Sequence, residues 1–170
     1  MNLPAVDLGI MAEHLSTHEG VINRMKMYDH SVQNPMLKKL LDLHIKTLKN
    51  HAETMLALIE PDRTQEIHLP EMDTIVWEGD FGELEEYEKD IALDLRSTAK
   101  LMGSDNFNSA LMMKDYNVKN IHLKMSYQDV TLQVMYDHLI KLAQGEFIPI
   151  VSKDMQLLVL NHYYHVLNEK

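Results

Sequence analysis

The chain has 170 residues, 45% hydrophobic and 25% charged, with 26 acidic against 16 basic side chains and a net charge of −10. A chain of this length buries roughly two-thirds of its unfolded surface in one core. No cluster of Lys and Arg is dense enough to neutralise a phosphate backbone, which argues against nucleic acid as a partner. The lack of cysteine excludes disulfide frameworks, thiolate metal sites and thiol catalysis.

The N-terminal stretch MNLPAVDLGIMAEHL has no basic leader followed by an apolar block, and no run approaches ~18 uncharged apolar residues, so neither a signal peptide nor a membrane span is expected. Apolar residues then recur at alternating steps of three and four, the spacing that keeps one stripe of a helix against its neighbours. The first helix, about 7–32, carries Leu8, Met11, Leu15, His18, Ile22 and Met25. The second, about 34–59, opens with Asn34 placed to cap free amides and Pro35 suited to the first helical position, and Pro61 stops it.

The third helix, about 81–114, is expected to open at Asp80 with Glu83 three residues on, and its stripe is Leu84, Tyr87, Ile91, Leu95, Thr98 and Met102. Gly103 either breaks it or lies inside it; the length of the other helices favours continuation. The fourth, about 118–144, reads Val118, Ile121, Met125, Leu132, Leu139 and Leu142, and Gly145 is expected to end it. A short C-terminal helix, about 152–167, follows Pro149, and its Tyr-rich NHYYHVL is expected to pack onto the rest.

Two- or three-residue connections make antiparallel hairpins of helices one and two and of three and four. Between the hairpins, Glu60 to Gly82 has two prolines and no helical period. Such a connector can run the height of a bundle of ~26-residue, ~39 Å helices, so helix three should point the same way as helix two. The expected fold is an all-α, ferritin-like four-helix bundle over residues 1–170: two antiparallel hairpins, a long crossover between helices two and three, and a short C-terminal helix. Thirteen methionines against three phenylalanines and one tryptophan suit an adaptable core or interface.

In helix two the stripe Leu37, Leu41, His44, Leu48, His51, Met55, Leu58 puts two histidines where leucine should face the core. A di-iron centre of the carboxylate type needs Glu-x-x-His pairs, and the chain has neither that motif nor Asp-x-x-His. His44 and His51 lie about 10.5 Å apart along the axis, too far for one ion. A hairpin turning near Gln33 would set His18 close to the level of His51, with His14 one turn away, Glu13 or Glu19 near, and Asp94, Asp129 or Tyr136 available from helices three and four. The simpler reading is a set of core histidines bonded to one another, to Tyr, Thr or Asp, or to buried water, since unpaired buried polar groups are costly. His122 and His138 invite the same choice, and His162 and His165 are read as capping the packing of the terminal helix onto the bundle rather than as binding an ion.

No phosphate-binding Gly-rich loop, Gly-x-Ser-x-Gly elbow or His-Glu-x-x-His is present, and acidic runs such as GELEEYEKD read as a solvated face. No catalytic, cofactor-binding or metal residue is assigned, and no enzymatic activity or cofactor is expected.

The strings AEHLSTHEGVINRM and NPMLKKLLDLHIKTLKNHAETMLALIEP, then NFNSALMMKD and VKNIHLKMSYQDVTLQ, resemble in that order the spore coat protein F-like proteins of endospore-forming bacteria, over most of the chain. GEFIP departs from that family's Gly-aromatic-Pro outline at Glu146. The resemblance implies a ferritin-like fold and a structural role in the spore coat, assembled from the mother-cell cytoplasm with other coat proteins; a second copy of the chain, as in a dimer, is a further expected partner. A histidine-rich metal-binding or oxidase-type bundle is the alternative, and a sensor holding a small ligand between the hairpins is a third reading.

Overall fold

The structure is a computed structural model that describes residues 2–78, 81–143 and 147–167. Among the described residues it is entirely helical: α1 Ala5–Asp29, α2 Pro35–Ile59, α3 Glu86–Met112, α4 Tyr116–Leu142 and α5 Lys153–Tyr163, the last followed by a 3-10 turn, Tyr164–Leu167. The expected caps Asp80 and Gly145 lie outside the described residues.

Local chemistry explains most of the helix starts. Asn34 caps α2 by accepting the amides of Met36 and Leu37, 3.0 Å each, and Pro35 occupies the first helical position. Asp115 accepts the amide of Val118 at 3.0 Å, which starts α4 a turn's fraction earlier than the periodicity predicts. Ser152 does the same for Met155 in α5 at 3.3 Å.

Helix α1 ends at Asp29, not near Val32, because the amides of Ser31 and Val32 both turn back to Tyr28 O. Its buried stripe also differs from the apolar one: Asp7, Met11, His14, His18, Ile22 and Met25 face inward, while Leu8 is exposed. In α3, Tyr87 is likewise exposed.

Helix α3 begins at Glu86, several residues after the expected Asp80 and Glu83 start. The reason is tertiary. Glu88, a member of the acidic run expected to be solvated, is 2% exposed. Its Oε1 accepts the amides of Gln33 and Asn34 at 2.7 Å each, and its Oε2 accepts the Glu85 amide at 3.2 Å. One buried carboxylate therefore closes the start of α3 and the α1–α2 turn together. Asp7 does the corresponding work at the opposite end, where its two oxygens accept the amides of Lys114 and Asp115 at 2.9 and 2.7 Å and hold the α3–α4 turn. Charge-assisted bonds of this kind are about twice as strong as neutral ones.

These contacts also set direction. The starts of α2 and α3 lie together at Glu88, so the two helices run the same way, and Asp7 places the start of α1 beside the end of α3. α1 pairs with α2 and α3 with α4, the latter most closely, and α2 also faces α4 while α1 faces α3. Gly103 lies inside α3 at its tightest approach to α4: a Cβ there would come within 3.0 Å of Val130 Cγ2 and 3.3 Å of Ser126 O. Ser126 Oγ donates to the carbonyl of Gly103 at 2.7 Å, so the helix continues because the glycine serves packing rather than breaking.

The crossover runs the length of α4. Asn117 at its foot bonds both the amide and the carbonyl of Ile67, at 3.1 and 2.8 Å. Gln128 at mid-height donates to Pro70 O at 2.8 Å, and Trp77 meets His138 edge-on, 4.7 Å between ring centroids. At the far end Asn34 Nδ2 donates to Phe81 O at 2.8 Å.

The expectation that the C-terminal helix packs onto the bundle is not met. Every described residue from 147 to 167 is exposed. His162 meets the neighbouring Tyr163 edge-on at 4.6 Å, and its carbonyl lies 2.8 Å from His165 Nδ1.

Candidate functional site

A polar layer crosses the middle of the bundle. His14 and His18 come from α1, His44 and His51 from α2, Asn106 and Ser109 from α3, and His122, Gln128, Asp129 and Tyr136 from α4; none is more than 8% exposed. Buried polar groups of this number require partners.

The partners determine the tautomers. His18 Nδ1 sits 2.7 Å from His14 O, a carbonyl that can only accept, so Nδ1 carries the proton and Nε2 a bare lone pair. His51 Nε2 is 2.9 Å from Gln128 Oε1, and that amide is oriented by its own donation to Pro70 O. His51 therefore donates from Nε2 and its Nδ1 is the bare nitrogen. His122 Nδ1 donates to Val118 O at 2.9 Å, and its Nε2 has no protein partner.

The consequence is unusual. His18 Nε2 and His51 Nδ1 face each other at 3.5 Å with two acceptors and no proton between neutral rings. Asp129 Oδ1 lies 3.9 Å from His51 Nδ1 and has no hydrogen-bond partner, whereas Oδ2 accepts from Asn106 Nδ2 at 2.8 Å. His14 takes a different arrangement: its Nε2 reaches Ser109 Oγ at 3.1 Å and Asp105 Oδ2 at 3.2 Å, and its ring tilts over His122 with centroids 5.3 Å apart. His44 pairs separately with Tyr136, Nδ1 to Oη 3.2 Å.

Burial controls the electrostatics. Loss of solvent, reinforced by the neighbouring imidazoles, lowers His44 and His51 to about 3, and burial lowers His18 and His122 to about 4. His14 is lowered by burial, opposed by Asp105 and Glu13. Burial raises Asp129 to about 8 against the opposing bond from Asn106, and it raises Tyr136 well above its ordinary value. At neutral pH the layer is an uncharged set of imidazoles around a protonated carboxyl group.

The expected neighbours sort clearly. His18 and His51 come together and Asp129 joins them, His14 one turn away meets Ser109, Asp105 and His122 instead, and Tyr136 serves His44. Asp94 does not take part; it binds Tyr28 Oη at 3.0 Å beside Arg24. Glu13 and Glu19 are exposed. Sequence reasoning named His122 without placing it beside His14, and it missed Gln128 and Asn106. The available signal was the gap in the α4 stripe between Met125 and Leu132, which Gln128 and Asp129 occupy.

Among the described residues no three His, Cys, Asp or Glu side chains already form a group able to hold a metal ion. A pocket of about 10 Å³, the room of roughly one water, lies against His14, His18, Asp105 and Asn106. It shares Thr17, Met102 and Asp105 with an open groove of about 410 Å³ on the bundle surface. The third reading needs a ligand cavity between the hairpins; a half-open groove of about 430 Å³ lies instead between the crossover and α4, with Leu69, Met72, Leu123, Tyr127 and Gln128 in its lining.

Fold and site together define an all-α bundle with a buried imidazole, amide and carboxyl layer. No protein-family model, no curated protein and no solved structure matches this chain. Among the described residues no helix is long and apolar enough to cross a membrane.

Proposed function

We propose that this chain is a structural, non-enzymatic interaction protein of the bacterial spore coat, with a ferritin-like bundle as its rigid body and other coat proteins or a second copy as its partners. The observation that carries this reading is the segment 147–167. It exposes Phe147, Ile150, Leu158, Tyr163, Tyr164 and Leu167, with Ile150 at 91% and Phe147 at 88%. Exposed apolar surface of this density marks an assembly surface. The resemblance to spore coat protein F-like proteins supplies the compartment, and the parallel course of α2 and α3 with a long crossover supports the ferritin-like topology.

A fluorescent fusion in sporulating cells tests the reading. Signal should gather around the forespore as the coat is laid down, and signal that stays diffuse in the mother cell throughout would overturn it. Light scattering of the purified full chain tests self-association: a dimer or larger species should shift towards monomer in Leu158→Glu.

A further inference from the structure

We propose that the facing lone pairs of His18 Nε2 and His51 Nδ1 bind a late first-row transition-metal cation, with Asp129 closing on it as the carboxylate ligand.

Each of the two imidazoles donates its other N–H to a fixed oxygen: His18 to a main-chain carbonyl, His51 to an amide that is itself tied to Pro70 O. Metal-ligating histidines are held in this way, because the second bond sets both the tautomer and the ring orientation. The spacing fits as well. An ion bonded at about 2.0–2.1 Å to both nitrogens, 3.5 Å apart, subtends an angle of roughly 115–120°, close to tetrahedral or trigonal coordination. Asp129 Oδ1, at 3.9 Å from His51 Nδ1, must approach by about half an ångström to reach the ligand separation of such an ion.

Two ligands are thus preset and the third arrives on loading, in keeping with the lack of a preformed three-residue group among the described residues. Asp129 Oδ1 and His122 Nε2 are both buried without a hydrogen-bond partner. The Asp129 carboxyl group gives up its proton to solvent as the cation binds, and the resulting carboxylate then offsets the ion's charge inside an otherwise neutral layer. The pocket beside His18 offers a route, and Asp105, 63% exposed and shared with the surface groove, places a carboxylate at its mouth. Imidazole with carboxylate suits zinc, copper, cobalt or nickel rather than calcium or magnesium, which prefer oxygen ligands alone.

The test uses the full chain without a histidine tag, titrated separately with Co(II), Zn(II) and Cu(II) and then desalted. One equivalent of metal per chain should remain, with Co(II) giving the visible bands of a low-coordinate nitrogen site. His18→Gln and His51→Gln should abolish retention while the helical circular dichroism is kept. Gln128→Leu, which removes the bond orienting His51 together with the tie to Pro70 O, should weaken binding roughly 10- to 100-fold. His162→Ala combined with His165→Ala, in the exposed C-terminal segment, should change nothing. Three outcomes overturn the proposal: a folded wild-type chain that retains no metal, full retention in the His18→Gln, His51→Gln double variant, or loss that follows His162 and His165 instead.

Discussion

The middle of the bundle and the segment 147–167 invert the usual distribution of side chains. One buries five histidines, an aspartic acid and two amides; the other leaves every described residue exposed, including a series of Leu, Ile, Val and Tyr. In the bundle, packing of four helices tolerates polar groups because each side chain has at least one partner, either a carbonyl one turn back on its own helix, as for His18 and His122, or a group distant in sequence, as for His14, His44, His51 and Asp129. In the tail, no such surroundings exist, so the apolar residues remain available to another molecule. Burial alone therefore does not separate framework from function here; what matters is whether the buried or exposed group has been supplied with a complement.

Acid should break the comparison most strongly. The buried histidines have folded-state values of about 3 to 4 against an unfolded value near 6.5, so their stabilising contribution is complete above pH 6.5 and is lost as pH falls towards their folded values. Each contributes a loss on the order of 1.4 kcal/mol per pH unit in that range. Asp129, raised to about 8, acts oppositely: its contribution is present below its unfolded value near 3.8 and disappears as pH rises through about 8. Because four such histidines outweigh one carboxyl group, urea midpoints should peak near pH 6.5–7, fall steeply towards pH 4.5, and decline gently to pH 8. A flat profile between pH 4.5 and 7 would show that the imidazoles are not buried as described.

Next in size are the two acids that hold the turns. Asp7→Ala strands two main-chain amides and Glu88→Ala three, and a loss of about 3 kcal/mol is expected for each in chemical unfolding. Exposed Glu86→Ala, in the same acidic run as Glu88, is the control and should change stability by less than about 0.5 kcal/mol. Gly103→Ala comes third: the added methyl meets Val130 and the Ser126 carbonyl, and a loss of about 1–2 kcal/mol is expected, offset in part by better helix propensity. Smallest of all, Leu158→Glu in the tail should leave the thermal midpoint of the bundle nearly unchanged while reducing self-association, which separates the two regions directly.

Residue patterns alone located the helices, the Asn34 cap, the crossover and the common level of His18 and His51, because these depend on helical period and connection length. Periodicity also showed that His44 and His51 face inward. It could not show what they would meet. Glu88 looks like its acidic neighbours until the α1–α2 turn is folded over it, and Asp7 looks like a surface acid until the α3–α4 turn arrives more than a hundred residues later in the chain. The same holds for the tautomers of His18, His51 and His122, which are dictated by particular oxygens, and for the exposure of the tail, whose apolar pattern reads like that of a packed helix. A helix's own order specifies which side chains share a face, whereas the partner opposite each face depends on the registry between helices, and that registry is settled only when the bundle closes.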